Sequence, residues 1–485
     1  MKDITTSKHK WYWSVMVAAL SGGLMTLCYW PRHLHMLAWV AMVPWLTLLP
    51  ALKPTQVKLF GTVVGLVFYR ITLGWLFELS GLHAAFVILV FSLLFGYSFY
   101  VARLVIKRLG TSAMLWVVPL CFTGQEILRS ETLSRFRLSY AGWGYSQAGN
   151  LWIAQIASLG GVYFITFLIT ACNAAIAYGL IKGSLRYYRP FGVIATCILI
   201  MAILAQPSDY NSHNQIPAAC VQIESTYYRE HRDLTEQALK DPLKPVFIVL
   251  PEHAINDVIY EKHYLIRSLK ELAQKHNAYI CVGAHDRAPK GADCNFDNVA
   301  ILIGPGGRII AQQAKAVPVP FFIDGNPARN HTIADTQYGK VGMYVCYDGS
   351  FTDIPRKLAA LGAELILGPV MNPEEWPVAQ RRQQADMARF RSIELRRCVV
   401  RTASSGISQI IDATGNIRNQ RTREDGPGVL CGKVYLVDKK TLFVRGGYMF
   451  SHIIVWVFII ITIIMICVEL LIGCKRIIRR FRIKQ

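Results

Sequence analysis

Three side chains in the polar part of the sequence have the types and the surroundings of a nucleophilic site. Cys346 ends an apolar run and is followed by Tyr-Asp-Gly, which predicts a strand leading into an elbow that presents a nucleophile. Glu252 follows an apolar run that ends in proline, and Lys315 precedes the segment Ala-Val-Pro-Val-Pro. The order along the chain is therefore Glu, Lys, Cys.

The chemistry that these residues could perform is acyl transfer through a thioester. A free thiol is mostly protonated at neutral pH, and its thiolate is the nucleophile. Glu252 would supply a base, and Lys315 a positive charge that favours the thiolate and stabilises the oxyanion of a tetrahedral intermediate. The acyl group would then pass to water or to an amine. His253, His263 and His285 are the alternative bases.

The surrounding chain has the composition of a membrane protein. Of its 485 residues, 53% are hydrophobic, and the mean hydropathy is +0.31. Apolar runs predict eight membrane spans, seven before the large polar region and one after it. No small-residue cleavage site follows the first run, which is therefore expected to be a retained helix. The runs lie near residues 12–29, 35–52, 58–79, 83–105, 113–126, 154–181, 190–206 and 452–473.

The net charge of +21 is explained by membrane topology rather than by nucleic-acid binding. Lysines and arginines precede the first run, fill alternate loops and follow the last run, so eight spans would place them on one side. The positive-inside rule makes that side cytoplasmic and places residues 207–450 outside the cytoplasm. One outer loop is basic, with Arg129, Arg135 and Arg137, which either bind a lipid phosphate or are ordinary solvated charges.

The polar region is predicted to be an α/β domain, because β-rich runs alternate with helical stretches from about residue 215. On the predicted helix at 377–396, Glu394 is expected to form a structural ion pair with Arg391 or Arg397. Strands are predicted at 216–223, 246–251, 278–284, 298–304, 341–347, 364–369, 398–403 and 407–412, and the other helices at 228–240, 258–275 and 352–361.

The twelve cysteines do not predict a metal site. The sequence has no Cys-x-x-Cys and no Cys/His cluster with zinc spacing, so neither a metal nor another cofactor is expected. Six cysteines lie outside the apolar runs, where a disulfide is possible in an oxidising compartment.

Glu252, Lys315 and Cys346, in that order and those contexts, resemble the signature of the carbon–nitrogen hydrolase (nitrilase) superfamily. Because this block lies between apolar helices, the chain resembles the apolipoprotein N-acyltransferase family over nearly its full length. Further motifs shared with that family are 144–147, 151–163 and Asn173 in the apolar half, and 221–222, 250–252, 320–321, 391–394, Arg401, 405–408 and 411–412 in the polar half.

The resemblance implies a multi-pass α-helical membrane domain joined to an extracytoplasmic α/β domain, an αββα sandwich of the nitrilase type. It implies an enzyme of the bacterial inner membrane, expected to be a monomer, that works by a ping-pong mechanism. Cys346 would take an acyl chain from a phospholipid, expected to be phosphatidylethanolamine, and pass it to the amino group of diacylglyceryl-cysteine in an apolipoprotein. Glu252 would be the general base and Lys315 the oxyanion partner.

The domain boundaries follow from the apolar runs. Residues 1–206 are expected to form a transmembrane domain of about seven helices, and 207–450 the nitrilase-like catalytic domain. Residues 451–485 are expected to be a C-terminal transmembrane helix with a basic cytoplasmic tail.

The sequence departs from the family pattern next to the expected site, which indicates a divergent member. The family usually has Gly-Glu after the Pro-Phe that follows its lysine, whereas the nearest acid here is Asp324. The usual Cys-Tyr-Glu is Cys-Tyr-Asp, with Tyr347 and Asp348. Asp324, Tyr347 and Asp348 are expected to bind substrate. Either aspartate could replace the family's second glutamate, and Asp324 is favoured as a partner of Lys315 if a bulge brings it into reach.

Two other functions fit the same residues. One is a membrane-anchored amidase or an acyltransferase with a different acceptor, which would use the same Glu, Lys and Cys. The other is a non-catalytic, conjugation-related membrane protein, which the altered residues around the site would permit.

Overall fold

The computed structural model describes residues 8–132, 137–207, 214–258, 263–320 and 322–483. Its N-terminal half is a bundle of helices around an aromatic core that includes Trp45, Phe68 and Phe95. Helix α5 (Leu82–Leu109) packs closely on helix α3 (Pro54–Thr72) because residue 96 is a glycine. A Cβ on Gly96 would meet the Lys58 carbonyl oxygen at 2.4 Å. The helices are α1 Lys8–Leu27, α2 Val43–Leu48, α3 Pro54–Thr72, α4 Leu76–Ser80, α5 Leu82–Leu109, α6 Met114–Ile127, α7 Leu151–Ala154, α8 Ala157–Gly160, α9 Val162–Lys182 and α10 Arg189–Leu204.

Within the described residues, four helical segments are long and apolar enough to cross a membrane. They are Leu82–Leu109, Val162–Lys182, Leu185–Leu204 and Phe443–Lys475. Helices α1, α3 and α6 also match predicted runs, and the shortest of them, α6, has 14 residues.

Two of the predicted spans differ from the structure. The span at 35–52 is wrong as a continuous helix, because a 3-10 helix ends at Trp39 and α2 starts again just before Pro44. Proline lacks an N–H and fits only the first turn of a helix. The span at 154–181 starts late, at α9, because Gly161 has a φ of +80° and interrupts the helix.

The polar region consists of two β-sheets. Their strands are β1 Ile216–Gln222, β2 Phe247–Val249, β3 Ile255–Val258, β4 Tyr279–Arg287, β5 Phe296–Ile303, β6 Ile309–Ala314, β7 Ile333–Thr336, β8 Gly339–Met343, β9 Leu365–Val370, β10 Cys398–Ala403, β11 Ser408–Ile411, β12 Ile417–Arg421 and β13 Gly428–Val434. The first sheet has the strand order β13-β1-β2-β4-β5-β6, with β3 also paired to β4, and the second sheet has the order β12-β11-β10-β9-β8-β7.

The two sheets pack face to face and are covered by helices, which confirms the predicted αββα sandwich. Residues of both sheets, such as Phe247 and Leu367, share one buried core. Helices α11 Tyr228–Leu239 and α12 Tyr264–His276 cover the first sheet, and α13 Asp353–Leu361 and α14 Val378–Leu395 belong to the second half of the sandwich. A last helix, α15 Met449–Ile483, packs against the N-terminal bundle through Phe458.

Some predicted elements have different ends in the structure. The strand predicted at 341–347 ends at Met343, and Cys346 begins a 3-10 turn instead. The helix predicted at 258–275 begins only at Tyr264, because the chain first forms β3. Strands β6, β7, β12 and β13 were not predicted, since they are polar or interrupted by glycine and lie at or next to sheet edges.

The basic outer loop has a structural arginine. Arg129 is fully buried, and its guanidinium donates to the carbonyls of Leu138, Tyr140 and Ala141 at 2.7–3.0 Å. Arg129 therefore shapes the chain that follows it instead of being a solvated charge. Arg137 lies over the Phe351 ring at 4.4 Å, and Arg135 lies outside the described residues.

Candidate active site

The ends of three strands bring the expected acid–base residues together. Glu252 follows β2, Lys315 follows β6, and the Lys315 Nζ lies 2.7 Å from Glu252 Oε1. The same Nζ lies 2.6 Å from Asp324 Oδ2. Asn298 on β5 joins the two acids, because its Nδ2 donates to Glu252 Oε1 and to Asp324 Oδ1, each at 2.8 Å. The result is one ammonium group held between two carboxylates.

Asp324, and not Asp348, is the second acid beside the lysine. Its carboxylate also accepts a hydrogen bond from the Val319 N–H at 2.7 Å, so the loop after Lys315 folds back on itself. The sequence predicts that a one-residue bulge brings Asp324 to Lys315. In the structure, this folded loop brings the two side chains together instead.

Charge pairing decides the protonation states of this cluster. Burial by itself would lower the pKa of Lys315, but the carboxylates of Glu252 and Asp324 outweigh it and raise that pKa well above its usual value. Burial works against ionisation of Asp324 as well, yet Lys315 and the Val319 N–H hold its pKa well below the usual range. Lys315 is therefore a permanent cation at neutral pH, suited to stabilise charge rather than to transfer a proton.

Cys346 is a buried thiol held in an unusual backbone conformation. Its φ of +44° is rare for a residue with a side chain and turns the sulfur out of the line of β8. The Gln384 Nε2 and the Met371 carbonyl oxygen each lie 3.7 Å from the sulfur. Burial and then the Glu252 carboxylate raise the pKa of the Cys346 thiol, while Lys315 lowers it. The resting thiol is protonated and needs a base at the moment of attack.

Met371 connects the base to the nucleophile. Its backbone N–H donates to Glu252 Oε2 at 2.9 Å, while its carbonyl faces the Cys346 sulfur. The Glu252 carboxylate and the Cys346 thiol therefore both contact the backbone of Met371, through its N–H and its carbonyl respectively. That geometry allows a short proton transfer once the thiol is engaged by a substrate.

Asp348 holds the backbone and does not face a cavity. Its side chain is fully buried, and its oxygens accept hydrogen bonds from the N–H groups of Ala316, Val317 and Val345 at 2.8–3.4 Å. Burial raises its pKa to about 7 against the opposing effect of these amides and of Lys315. Asp348 therefore connects the turn that begins at Cys346 with the segment that follows Lys315, through hydrogen bonds to their backbone amides. The structure does not place Asp348 where a substrate could touch it.

An apolar cavity of about 650 Å³ leads to Cys346. One wall consists of helices α4 and α5 of the N-terminal bundle together with Leu138 and Tyr140, and the other wall belongs to the sandwich. Tyr347 lines it, with its ring stacked on Tyr140 and its hydroxyl donating to the Arg137 carbonyl at 2.9 Å. The apolar lining includes Leu76, Leu79, Phe86, Val87, Val90, Phe91, Val319, Pro320, Phe322 and Trp376, and the polar end near Cys346 has Gln380 and Gln384.

Sequence reasoning missed Asn298 and Gln384. Gln384 Oε1 accepts from the buried Arg401 at 2.8 Å, which turns its Nε2 toward the thiol. Asn298 could have been noticed as an asparagine in an otherwise apolar strand. Gln384 had no such signal, because it lies in a helix that is rich in polar residues.

Only one of the alternative bases adjoins the cluster. His253 Nε2 lies 3.8 Å from both Glu252 Oε1 and Asp324 Oδ1. His285 contacts His253, and His263 faces Asp257 at 3.6 Å instead. The candidate metal-ligating group formed by Glu252, His253 and Asp324 already holds the Lys315 ammonium, which is ion-paired with both of its carboxylates. All twelve cysteines are free.

The family-like motifs of the apolar half form the joint with the sandwich. Tyr145 accepts a hydrogen bond from Arg391 on α14 at 2.9 Å, and the Val162 N–H at the start of α9 donates to Glu394 at 2.8 Å. Gly144 must be small, since a Cβ there would meet the Val162 carbonyl oxygen at 2.4 Å. These motifs therefore fix the position of the sandwich relative to the helices of the N-terminal bundle.

The fold and the site define a carbon–nitrogen hydrolase sandwich mounted on a membrane bundle. Two family models match in that arrangement: residues 21–175 match the apolipoprotein N-acyltransferase N-terminal domain, and residues 218–438 match carbon–nitrogen hydrolase. In both halves the chain resembles the apolipoprotein N-acyltransferase family, from which its sequence diverges.

Curated relatives show the same likeness over most of the chain. An apolipoprotein N-acyltransferase of Geobacter metallireducens is 25% identical, covering 90% of this chain and 92% of the relative. Apolipoprotein N-acyltransferase 1 of Treponema denticola is 23% identical, covering 84% and 87%. Among solved structures, a Saccharomyces cerevisiae member of branch 10 of the nitrilase superfamily is 21% identical with a TM-score of 0.42, covering 47% of this chain and 93% of its own.

Proposed function

We propose that the protein transfers an acyl chain from a membrane phospholipid, through a thioester on Cys346, to the N-terminal amine of diacylglyceryl-cysteine in bacterial apolipoproteins. The observation that carries this proposal is the apolar cavity that runs from membrane helices α4 and α5 to a buried cysteine. An amidase for small polar substrates has no use for such a cavity, whereas a lipid acyl chain would fill it. The names of the relatives agree with this substrate class.

The first half of the reaction forms the thioester. Glu252 takes the thiol proton as the Cys346 sulfur attacks the ester carbonyl of the phospholipid, and a C–S bond forms. The fixed cation of Lys315 stabilises the charge that develops on the carbonyl oxygen. When the ester C–O bond breaks, Glu252 returns the proton to the departing alcohol, and the lysophospholipid leaves. Tyr347 lines the acyl-chain cavity, while Asp324 and Asp348 position the lysine and the cysteine turn.

The second half transfers the chain to the acceptor amine. The amine attacks the thioester carbonyl, the C–S bond breaks, and the cysteine regains its proton. Both substrates are lipids, so the site has to lie at the surface of a bilayer. We place the sandwich, within residues 207–450, on the periplasmic side of the bacterial inner membrane. The membrane segments are then 1–206 and 451–485.

Mass spectrometry of the intact protein tests this proposal. We expect purified protein incubated with phosphatidylethanolamine to gain one acyl chain on the Cys346 peptide, and we expect hydroxylamine to remove it. The Cys346→Ser variant should gain none. Cys281→Ser is a matched control, because Cys281 is also fully buried in the sandwich but lies on β4 in the core. Absence of the adduct in folded wild-type protein would overturn the acyltransferase proposal in favour of the amidase or the non-catalytic protein, and ammonia release from small amides would indicate the amidase.

A further inference from the structure

A polar cavity of about 520 Å³ has Glu252 in its lining and shares no lining residue with the acyl-chain cavity. Glu252, His253 and Met371 line it, together with polar residues such as Glu230 and Ser404. Cys346 borders the apolar cavity and Glu252 borders the polar one, and the backbone of Met371 contacts both residues. The base is thus accessible from the water side and the nucleophile from the lipid side.

Two histidines extend from the base toward the protein surface. His253 Nδ1 lies 2.8 Å from His285 Nε2, and the two rings are nearly perpendicular at 87°. The ring of His285 is stacked on Phe296 with centroids 4.0 Å apart, which fixes its plane. The other nitrogen of His253 faces Glu252 and Asp324 at 3.8 Å. Both histidines are partly exposed.

The proposed reaction releases one proton in each turnover, and only in its second half. In the first half, thiol and ester become thioester and alcohol, so no proton is gained or lost. An α-amino group has a pKa of about 7.7–8.0, so the acceptor reaches the site largely as an ammonium. Conversion of that ammonium into an amide removes two protons. One restores the Cys346 thiol, and the other has to leave a site that is closed by lipid on one side.

The neighbours of Glu252 leave few places for this surplus proton. Lys315 already carries its full complement of protons, and Lys315 keeps Asp324 ionised. Among the described residues that line the polar cavity, His253 is the basic side chain next to Glu252. His231, the other histidine that lines this cavity, hydrogen-bonds through Nε2 to the Ser225 carbonyl oxygen and not to Glu252.

We propose that His253 and His285 carry the surplus proton from Glu252 to water during transfer to the amine. This proposal rests on the proposed acyltransferase function. Glu252 takes the proton from the acceptor ammonium. His253 Nε2 receives it from Glu252 through one water in the polar cavity, because the 3.8 Å between the two atoms is too long for a direct hydrogen bond. The proton on His253 Nδ1 then passes to His285 Nε2, and His285 releases its own Nδ1 proton to solvent. No bond to carbon changes in this relay, and each ring ends in its other tautomer, so both rings exchange a proton with water before the next turnover.

The surroundings of His285 suit a transient carrier. Burial, followed by the proximity of His253, lowers its pKa to about 4 against the opposing effects of Glu252, Asp324 and Asp257. A neutral ring with a low pKa accepts a proton only briefly and releases it quickly to water.

The test separates the two halves of the reaction in full-length purified protein. Thioester formation is followed by intact mass with phosphatidylethanolamine. Discharge of the isolated acyl-enzyme is then followed with a synthetic diacylglyceryl-cysteinyl peptide. For His285→Ala and His285→Gln at pH 7, we expect formation within about twofold of wild type and discharge slowed about 10²-fold, the scale of one proton-transfer group. Imidazole should restore discharge in His285→Ala, and so should pH 9, where the amine enters neutral.

A matched control and distinct outcomes make the test decisive. His276→Ala, at the end of α12 and away from the cluster, should leave both rates unchanged. Equal slowing of both halves would mean that His285 is merely structural, and unchanged discharge would mean that water alone removes the proton; either result overturns the relay. If wild-type protein forms no thioester at all, the acyltransferase proposal fails first, and the relay fails with it.

Discussion

At the scale of single residues, the site depends on where charge is buried. Lys315 is stabilised as a cation by two carboxylates, and the Cys346 thiol is kept neutral by burial and by Glu252. Asp348 differs from both, because its carboxylate has backbone amides and no direct cation as partners. A buried acid held in this way titrates near neutral pH, and its effect on stability can be measured.

The Asp348 carboxyl predicts a specific pH dependence of stability. Its pKa is raised from 3.8 to about 7 in the folded protein by burial. A folded-state pKa above the unfolded one contributes stability that is fully present below about pH 4 and is lost as the pH rises through about 7. We therefore expect the melting temperature of Asp348→Asn to rise relative to wild type between pH 5 and pH 8, measured by tryptophan fluorescence in detergent.

Asp335→Asn is the control for this prediction, because Asp335 is a strand aspartate whose side chain is 85% exposed. Its melting temperature relative to wild type should not change over the same pH range. A flat difference for Asp348→Asn as well would contradict a raised pKa at Asp348.

At the scale of elements, helix α14 joins the catalytic half to the membrane half. Arg391 Nε lies 3.1 Å from Glu394 Oε2, and both side chains are at most 1% exposed. Through these two residues α14 reaches Tyr145 and the first turn of α9. The ion pair predicted from helical spacing is therefore present with Arg391, and it also takes part in the joint between the two halves.

Loss of one partner of this pair should be costly. Arg391→Met leaves the Glu394 carboxylate buried without its cation, and we expect a loss of about 3–5 kcal/mol in unfolding free energy. The double variant Arg391→Met with Glu394→Gln should recover part of that loss. Thermal and denaturant unfolding in detergent measure both. Arg229→Met, at a pair on α11 that is 3.8 Å long and exposed, should cost less than about 1 kcal/mol. Equal costs at the two pairs would refute the argument.

At the scale of the whole molecule, the acyl-chain cavity exists only because the two halves meet. Helices α4 and α5 form one wall, and the loops after Lys315 and after β9 form the other, with Phe322 and Trp376 rings 6.1 Å apart. Under the proposed function, the reacting groups belong to the sandwich, and the membrane bundle would select the acyl chain. Substitutions in the bundle should therefore change which chains are used without changing the reaction.

Narrowing the cavity from the membrane side tests this division. Val87 on α5 lines the cavity, and Val87→Trp should obstruct it. We expect thioester formation with dipalmitoyl phosphatidylethanolamine to fall at least about tenfold, a loss of more than about 1.4 kcal/mol in transition-state binding, while a dioctanoyl donor reacts nearly as before. Leu89→Trp, two residues away and 46% exposed, is the control and should leave both donors unaffected. Equal loss with both donors would contradict a chain-binding role.

The sequence by itself determined the fold class and predicted three side chains, Glu252, Lys315 and Cys346, that the structure brings together. Strand and helix patterns are short-range signals, and the central elements β1, β2, β4, β9 and β10 lie within a few residues of their predicted positions. The αββα sandwich and the Glu, Lys and Cys contexts could therefore be read from the chain.

Only the tertiary structure decided how these groups are completed. Whether Asp324 or Asp348 adjoins Lys315 depends on the path of a loop, and the role of Asn298 depends on the distance between three strand ends. The cavity depends on the docking of two halves that are far apart in sequence. Each is set by long-range contacts, which the local residue pattern does not encode.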